Sequence, residues 1–134
     1  MAVSKKNREI IFNKYDGRCA YCGDVLQKGW HVDELLPVRR NHVFDHEKRK
    51  WVVDKENPYY HPERMHIDNQ MPSCPSCNIN KHSMDLEEFR NLVGGFINSL
   101  NRDSTQYKIA KRYGFITETI KPVVFHFERV DKKD

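Results

Sequence analysis

Four cysteines in two pairs carry the first chemical signal: Cys19-Ala20-Tyr21-Cys22, followed by Gly23, and Cys74-Pro75-Ser76-Cys77. A two-residue gap lets both thiolates of a pair turn onto one ion. A glycine after the pair permits the tight backbone of a knuckle. One pair alone reads about as well as buried free thiols or a redox pair as it does as a metal knuckle; two pairs favour a shared metal, with Zn²⁺ the expected ion. The N-terminal MAVSKKNREIIF lacks the pattern of a secretory leader, and no apolar run approaches ~18 residues. Those features predict a cytoplasmic chain without a membrane span. Disulfides rarely persist there, which again points the cysteines to metal.

Oxygen and nitrogen donors lie in two further stretches, HVDELLPVRR (31–40) and IDNQMPSCPSCNINKH (67–82). Asp33 and the side-chain oxygen of Asn78 are hard ligands that suit Mg²⁺, which keeps several waters and needs few protein groups. His82 would share a helical face with Asn78 at i+4, and its nitrogen suits Mn²⁺ better. Each residue also has an ordinary reading. Asp33 can be a strand-end carboxylate, Asn69 a turn cap, Asn78 the cap of a helix starting after Cys77, and His82 a surface residue.

Taken together, Cys19-x-x-Cys22, Val32-Asp33-Glu34-Leu35-Leu36-Pro37, Ile67-Asp68-Asn69-Gln70-Met71 and Cys74-x-x-Cys77-Asn78-x-x-Lys81 resemble the HNH endonucleases, the ββα-metal (His-Me finger) nucleases. The small cysteine-containing phage and prophage members are the most similar in pattern. The resemblance covers roughly residues 5–90. It implies an α+β fold: a β-hairpin and helix stapled by a four-cysteine zinc site, cutting or nicking DNA with Mg²⁺ or Mn²⁺. By position, Asp33 resembles the first metal ligand, Asn78 the second and His82 a further one. Asn69 resembles the loop asparagine that orients the general base. A place in phage packaging or other nucleic-acid machinery would fit such a family.

One position departs from the pattern. The family's Asp-His pair is Asp33-Glu34 here, so the usual general-base histidine is missing. Glu34 can take the proton itself, but a carboxylate with a pKa of about 4.3 is a weak base unless burial raises it. His31 can serve only if a bulge turns it, since a residue three away faces the opposite side of a regular strand. The third explanation is an inactive chain, natural or engineered, acting as a DNA-binding or regulatory module. A zinc-knuckle adaptor for protein partners is a further reading from another class.

The remaining elements must position these groups. Ser4 caps a predicted helix over 4–15, with Ile10, Ile11, Phe12 and Tyr15 on its apolar side and Asp16-Gly17 ending it. A strand is expected over 30–38, stopped by Pro37. Residues 39–66 read as a long hairpin-like insertion with scattered histidines. Asp85 caps a helix whose apolar residues run to Leu100, with Gly94-Gly95 as a kink or close-packing point. Ser104 caps another helix that Gly114 closes. Residues 120–130 alternate as a C-terminal strand, and the last residues, DKKD, are expected to be loose. This divides the chain into a core (1–84) and a helical extension with a terminal strand (85–134).

The net charge is +4, and only 38% of residues are hydrophobic. A small core benefits from a structural metal. The basic residues Arg39, Arg40, Lys48, Arg49, Lys50 and Lys81, with the basic helix 5–18, are the candidate groups for gripping a DNA backbone.

Overall fold

Ser4 Oγ accepts a hydrogen bond from the Asn7 amide (3.1 Å) and opens α1 (Lys5–Asn13), which buries Ile11. The computed structural model describes residues 3–131. Asp16 and Gly17, both at positive φ, turn the chain out of α1 into the first cysteine knuckle. β1 (His31–Glu34) follows, shorter than the expected 30–38 run. The insertion carries β2 (His42–Asp45) and β3 (Lys50–Val53), which pair antiparallel as a separate ribbon. Short 3-10 turns at Pro62–Arg64 and Ile67–Asn69 lead into β4 (Gln70–Ser73).

β4 returns antiparallel to β1, placing Asp33 opposite Met71 and Glu34 opposite Gln70. α2 (Pro75–Lys81) starts immediately after β4. Cys74 is its N-cap, with Sγ accepting from the Cys77 amide at 3.4 Å. The helix therefore begins before Cys77, and Asn78 sits inside it rather than capping it. The result is a mixed α+β chain with small antiparallel sheets and six α-helices among the described residues.

The C-terminal part packs on this frame. Asp85 and Glu88 form a reciprocal capping box at the start of α3 (Leu86–Gly94). The backbone breaks at Gly95 before α4 (Phe96–Asp103), at the glycine pair that marks a discontinuity in the sequence. Ser104 caps α5 (Thr105–Arg112). The core gathers Tyr15, Cys19, Ala20, Tyr21, Leu26 and Met71 with Phe89, Phe125 and Phe127. The Tyr21 ring stands edge-on to Phe89 and Phe125, at 5.5 and 5.7 Å, the arrangement aromatic quadrupoles favour. Arg90 clamps the last segment to α3 by donating to Glu128 (2.7 Å) and to the Val123 carbonyl (2.7 Å).

The expected C-terminal strand over 120–130 is not formed. An irregular run leads instead into α6 (His126–Asp131). The alternation reflected burial, since Phe125 and Phe127 both enter the core. The His126 and Phe127 amides, however, bond to the Tyr21 and Ala20 carbonyls (3.0 and 2.8 Å), docking this segment on the knuckle rather than on a sheet edge. Of the terminal DKKD, Asp131 ends α6; residues 132–134 lie outside the described residues. No helix among the described residues is long and apolar enough to cross a membrane.

Candidate metal centre and adjoining cleft

The first knuckle is closed by its own backbone. The Cys19 amide donates to the Asp24 carbonyl (2.8 Å), and Gly23, at φ +81, returns its amide to the Cys19 carbonyl (3.0 Å). A side chain at Gly23 would be strained in that backbone and would also meet the His126 ring at 3.1 Å. The Ala20 amide bonds to the Pro72 carbonyl (2.8 Å), tying the knuckle to β4. That link brings Cys19 and Cys22 beside Cys74 and Cys77 despite their separation in sequence.

All four Sγ atoms lie within 4.8 Å of one another, and those of Cys22 and Cys74 are 3.8 Å apart. Thiolates at ~2.3 Å from one tetrahedral ion stand roughly 3.8 Å apart, so the tetrad has the dimensions of a zinc site. The cysteines are unbridged. The Cys77 thiol donates to Cys19 and holds it down to about 4, while Cys77 itself is pushed up. The tetrad can hold a metal ion such as zinc.

A cleft of about 320 Å³ opens beside it, lined by Val32, Asp33, Glu34, Pro37, Val38, Asn78, Ile79, His82 and Ser83. The fold thus brings Asp33, Glu34, Asn78 and His82 together. A larger groove of about 740 Å³ runs between α3–α4 and residues 119–125. Its lining is mainly apolar and includes no carboxylate or histidine, whereas Asp33, Glu34 and His82 line the smaller cleft.

Asp33 is buried, at 6% exposure. Its Oδ2 accepts from the Tyr21 hydroxyl at 2.5 Å and from Lys81 Nζ at 3.0 Å. Among the described residues Oδ1 takes no hydrogen bond, and no buried side-chain oxygen is left unsatisfied. Oδ1 therefore reaches the cleft. Burial raises the Asp33 carboxyl above its ordinary range, against the opposing pull of Lys81 and Tyr21. Glu34 is also raised, first by burial and then by the negative charge of Asp33. This is the direction a carboxylate needs to act as a base.

Asn69 pins the loop that follows Glu34. Its Oδ1 accepts from the Leu36 amide (2.8 Å), and its Nδ2 donates to the Leu36 and Arg64 carbonyls (2.9 and 2.8 Å). The Asn78 side chain makes no hydrogen bond among the described residues. His82 lies one residue beyond α2, exposed, at φ 49° and ψ −131°. Such a backbone is costly for a side-chain-bearing residue, by about 1–3 kcal/mol, and tends to mark functional positions. His31 is exposed at the start of β1 and does not line the cleft.

Lys81 departs from expectation. It is fully buried, donating also to the Glu34 carbonyl (3.1 Å), and so lies beneath the site rather than on a DNA-facing surface. Its position in the run Cys77-Asn78-Ile79-Asn80-Lys81 places it one helical turn past the knuckle, aimed at β1. The sequence marks Tyr21 only by its place between Cys19 and Cys22. Arg39 is exposed but donates to the Ser83 carbonyl (2.7 Å) at the cleft rim. Arg40, Lys48, Arg49 and Lys50 are exposed on the insertion.

No family model, curated protein or solved structure matches this chain.

Proposed function

We propose that this chain is a DNA endonuclease of the HNH type, hydrolysing phosphodiester bonds with Mg²⁺ or Mn²⁺ and stapled by Zn²⁺ in its cysteine tetrad. The observation that carries the reading is the meeting of Asp33, Glu34, Asn78 and His82 on one cleft beside the tetrad. The succession β1, β4, α2 supports it, since a hairpin and helix are what that family's core requires.

The donor set fits a hard cation. Asp33 Oδ1, the Asn78 side chain and His82 are the groups that would hold it, leaving room for water. When bound, the cation supplies charge stabilisation for the developing phosphorane and the departing oxygen. Tyr21 and Lys81 fix Asp33 through Oδ2 and keep its other oxygen toward the cleft. Glu34 takes the proton from the attacking water; the water oxygen bonds to phosphorus, and the bond to one bridging oxygen breaks. Asn69 holds the Leu36 loop and so the end of β1 on which Glu34 rides. The exposed cations Arg39, Arg40, Lys48, Arg49 and Lys50 grip the backbone, giving salt-sensitive binding.

A second reading draws on one observation. Lys81 already neutralises Asp33 at 3.0 Å, as suits a zinc-stapled DNA-binding module that has lost catalysis. The two readings separate on supercoiled plasmid. The nuclease reading expects nicked or linear product with Mg²⁺ or Mn²⁺, none with EDTA, and none from Asp33→Ala. DNA binding and zinc content without any cleavage would favour the module.

A further inference from the structure

The ribbon of β2 and β3 packs mainly within itself and leaves large apolar side chains in water. Trp51 is 67% exposed, Val43 44% and Phe44 40%. The register sets Phe44 opposite Trp51 and His42 opposite Val53 on one face. Phe44 meets Trp51 edge-on at 5.7 Å, and His46 joins Phe44 at 5.0 Å. An isolated two-stranded hairpin is marginal in water, and this cluster helps to hold it. Even so, two-thirds of the Trp51 surface stays wet, far more than a cross-strand role requires.

Charge is gathered at the tip. Asp45 Oδ1 accepts from the Glu47 and Lys48 amides (2.9 and 3.1 Å), which tightens the turn and engages one of the ribbon's acids. Lys48, Arg49 and Lys50 are all exposed there. At the other end the ribbon is extended by backbone bonds from Asn41 to Pro58 and from Tyr60 to Arg39, each 2.8 Å. It therefore springs from the Pro37–Val38 edge of the cleft, where Arg39 is held by Ser83.

Size selects the partner. Two strands ~4.8 Å apart with side chains on both faces fit a major groove about 12 Å wide, but not a minor groove of about 6 Å. We propose that the β2–β3 ribbon is an arm that lies in the major groove of duplex DNA alongside the cleft. Lys48, Arg49 and Lys50 meet phosphates, and the Trp51–Phe44 face meets base edges. This rests on the proposed DNA binding but not on catalysis, so it is tested on zinc-loaded protein with no Mg²⁺ or Mn²⁺ added, where the proposed cleavage is not expected.

The chain has 2 tryptophans. The other, Trp30, is half-buried under the Arg8 guanidinium at 3.9 Å, and Trp51→Phe identifies the share of emission due to Trp51. Intact protein is titrated with a duplex of about two helical turns and with a single strand of equal length, following anisotropy and iodide quenching. The arm predicts that the duplex shields Trp51 from iodide. It also predicts that Lys48→Ala/Arg49→Ala/Lys50→Ala weakens binding at least ~tenfold and lowers the salt slope by roughly 0.9 for each phosphate no longer neutralised. Preferential, Trp51-dependent binding of the single strand would overturn groove docking in favour of base stacking. Unchanged duplex binding by the triple variant, with Trp51 still open to iodide, would refute the arm while leaving DNA binding by the rest of the chain intact. Absence of DNA binding by the intact protein at low salt would overturn both.

Discussion

The Tyr21 hydroxyl donates to Asp33 Oδ2 at 2.5 Å, linking the first cysteine knuckle directly to β1. Lys81, one turn past the second knuckle, reaches the same oxygen at 3.0 Å. Both knuckles thus end on one buried carboxylate. Removing one member of such a pair leaves an uncompensated charge, so Lys81→Met should cost about 3–5 kcal/mol. Asp33→Asn combined with Lys81→Met should recover much of that loss. Urea denaturation of the single and double variants checks it; a cost under ~1 kcal/mol for Lys81→Met would contradict the geometry.

Glu34 gives a pH prediction with a definite sign. Its pKa is raised by burial and by Asp33, so the folded state holds the proton more tightly than the unfolded chain. Its contribution to stability is therefore full in acid and declines as pH rises from the ordinary carboxylate value through the raised one. Glu34→Gln should gain thermal stability over the parent at about pH 7 and lose that advantage below pH ~4. The proposed cleavage should run the other way, since Glu34 must be ionised to act as its base. Its pH profile should rise through the Glu34 pKa and shift toward about 6.5 in Glu34→His.

Asn69 satisfies three backbone partners at once. At about 0.5–1.5 kcal/mol for each net hydrogen bond, Asn69→Ala should lose roughly 2–3 kcal/mol. It should also speed amide exchange at Leu36. Exchange left unchanged there would mean that the Leu36 loop is held by something other than Asn69.

The tetrad should bind one zinc per chain, and binding at neutral pH should release protons as the thiols become thiolates. Chelation or Cys74→Ser should loosen the whole molecule, because Cys19, Ala20 and Tyr21 belong to the same core as Phe89 and Phe125. Near-ultraviolet circular dichroism on metal removal reads this directly. An unchanged spectrum would show that packing alone fixes the knuckles.

The cysteine cluster and several element boundaries are legible in sequence because their signals are local. Cys-x-x-Cys pairs, the Ser4, Asp85 and Ser104 caps and the Gly94-Gly95 discontinuity each act within one turn of chain. What escaped was set by tertiary packing. Lys81 looked like a solvated cation because nothing local shows that α2 lays it against Asp33. Nothing local marks Tyr21, because the partner of its hydroxyl, Asp33, lies on another element. The 120–130 alternation was a true burial signal, but no sheet edge receives that segment; it hydrogen-bonds to the knuckle instead.

The most direct test of the proposed chemistry is single-turnover cleavage of a plasmid in Mn²⁺ by the parent chain, Glu34→Gln, Glu34→His and His82→Ala. The account predicts that the parent cuts and that Glu34→Gln falls by roughly a hundredfold or more at equal zinc content and DNA affinity, as loss of a general base does. It also predicts that Glu34→His restores or exceeds the parent rate. Parental activity in Glu34→Gln, with loss confined to His82→Ala, would contradict it and make His82 the base.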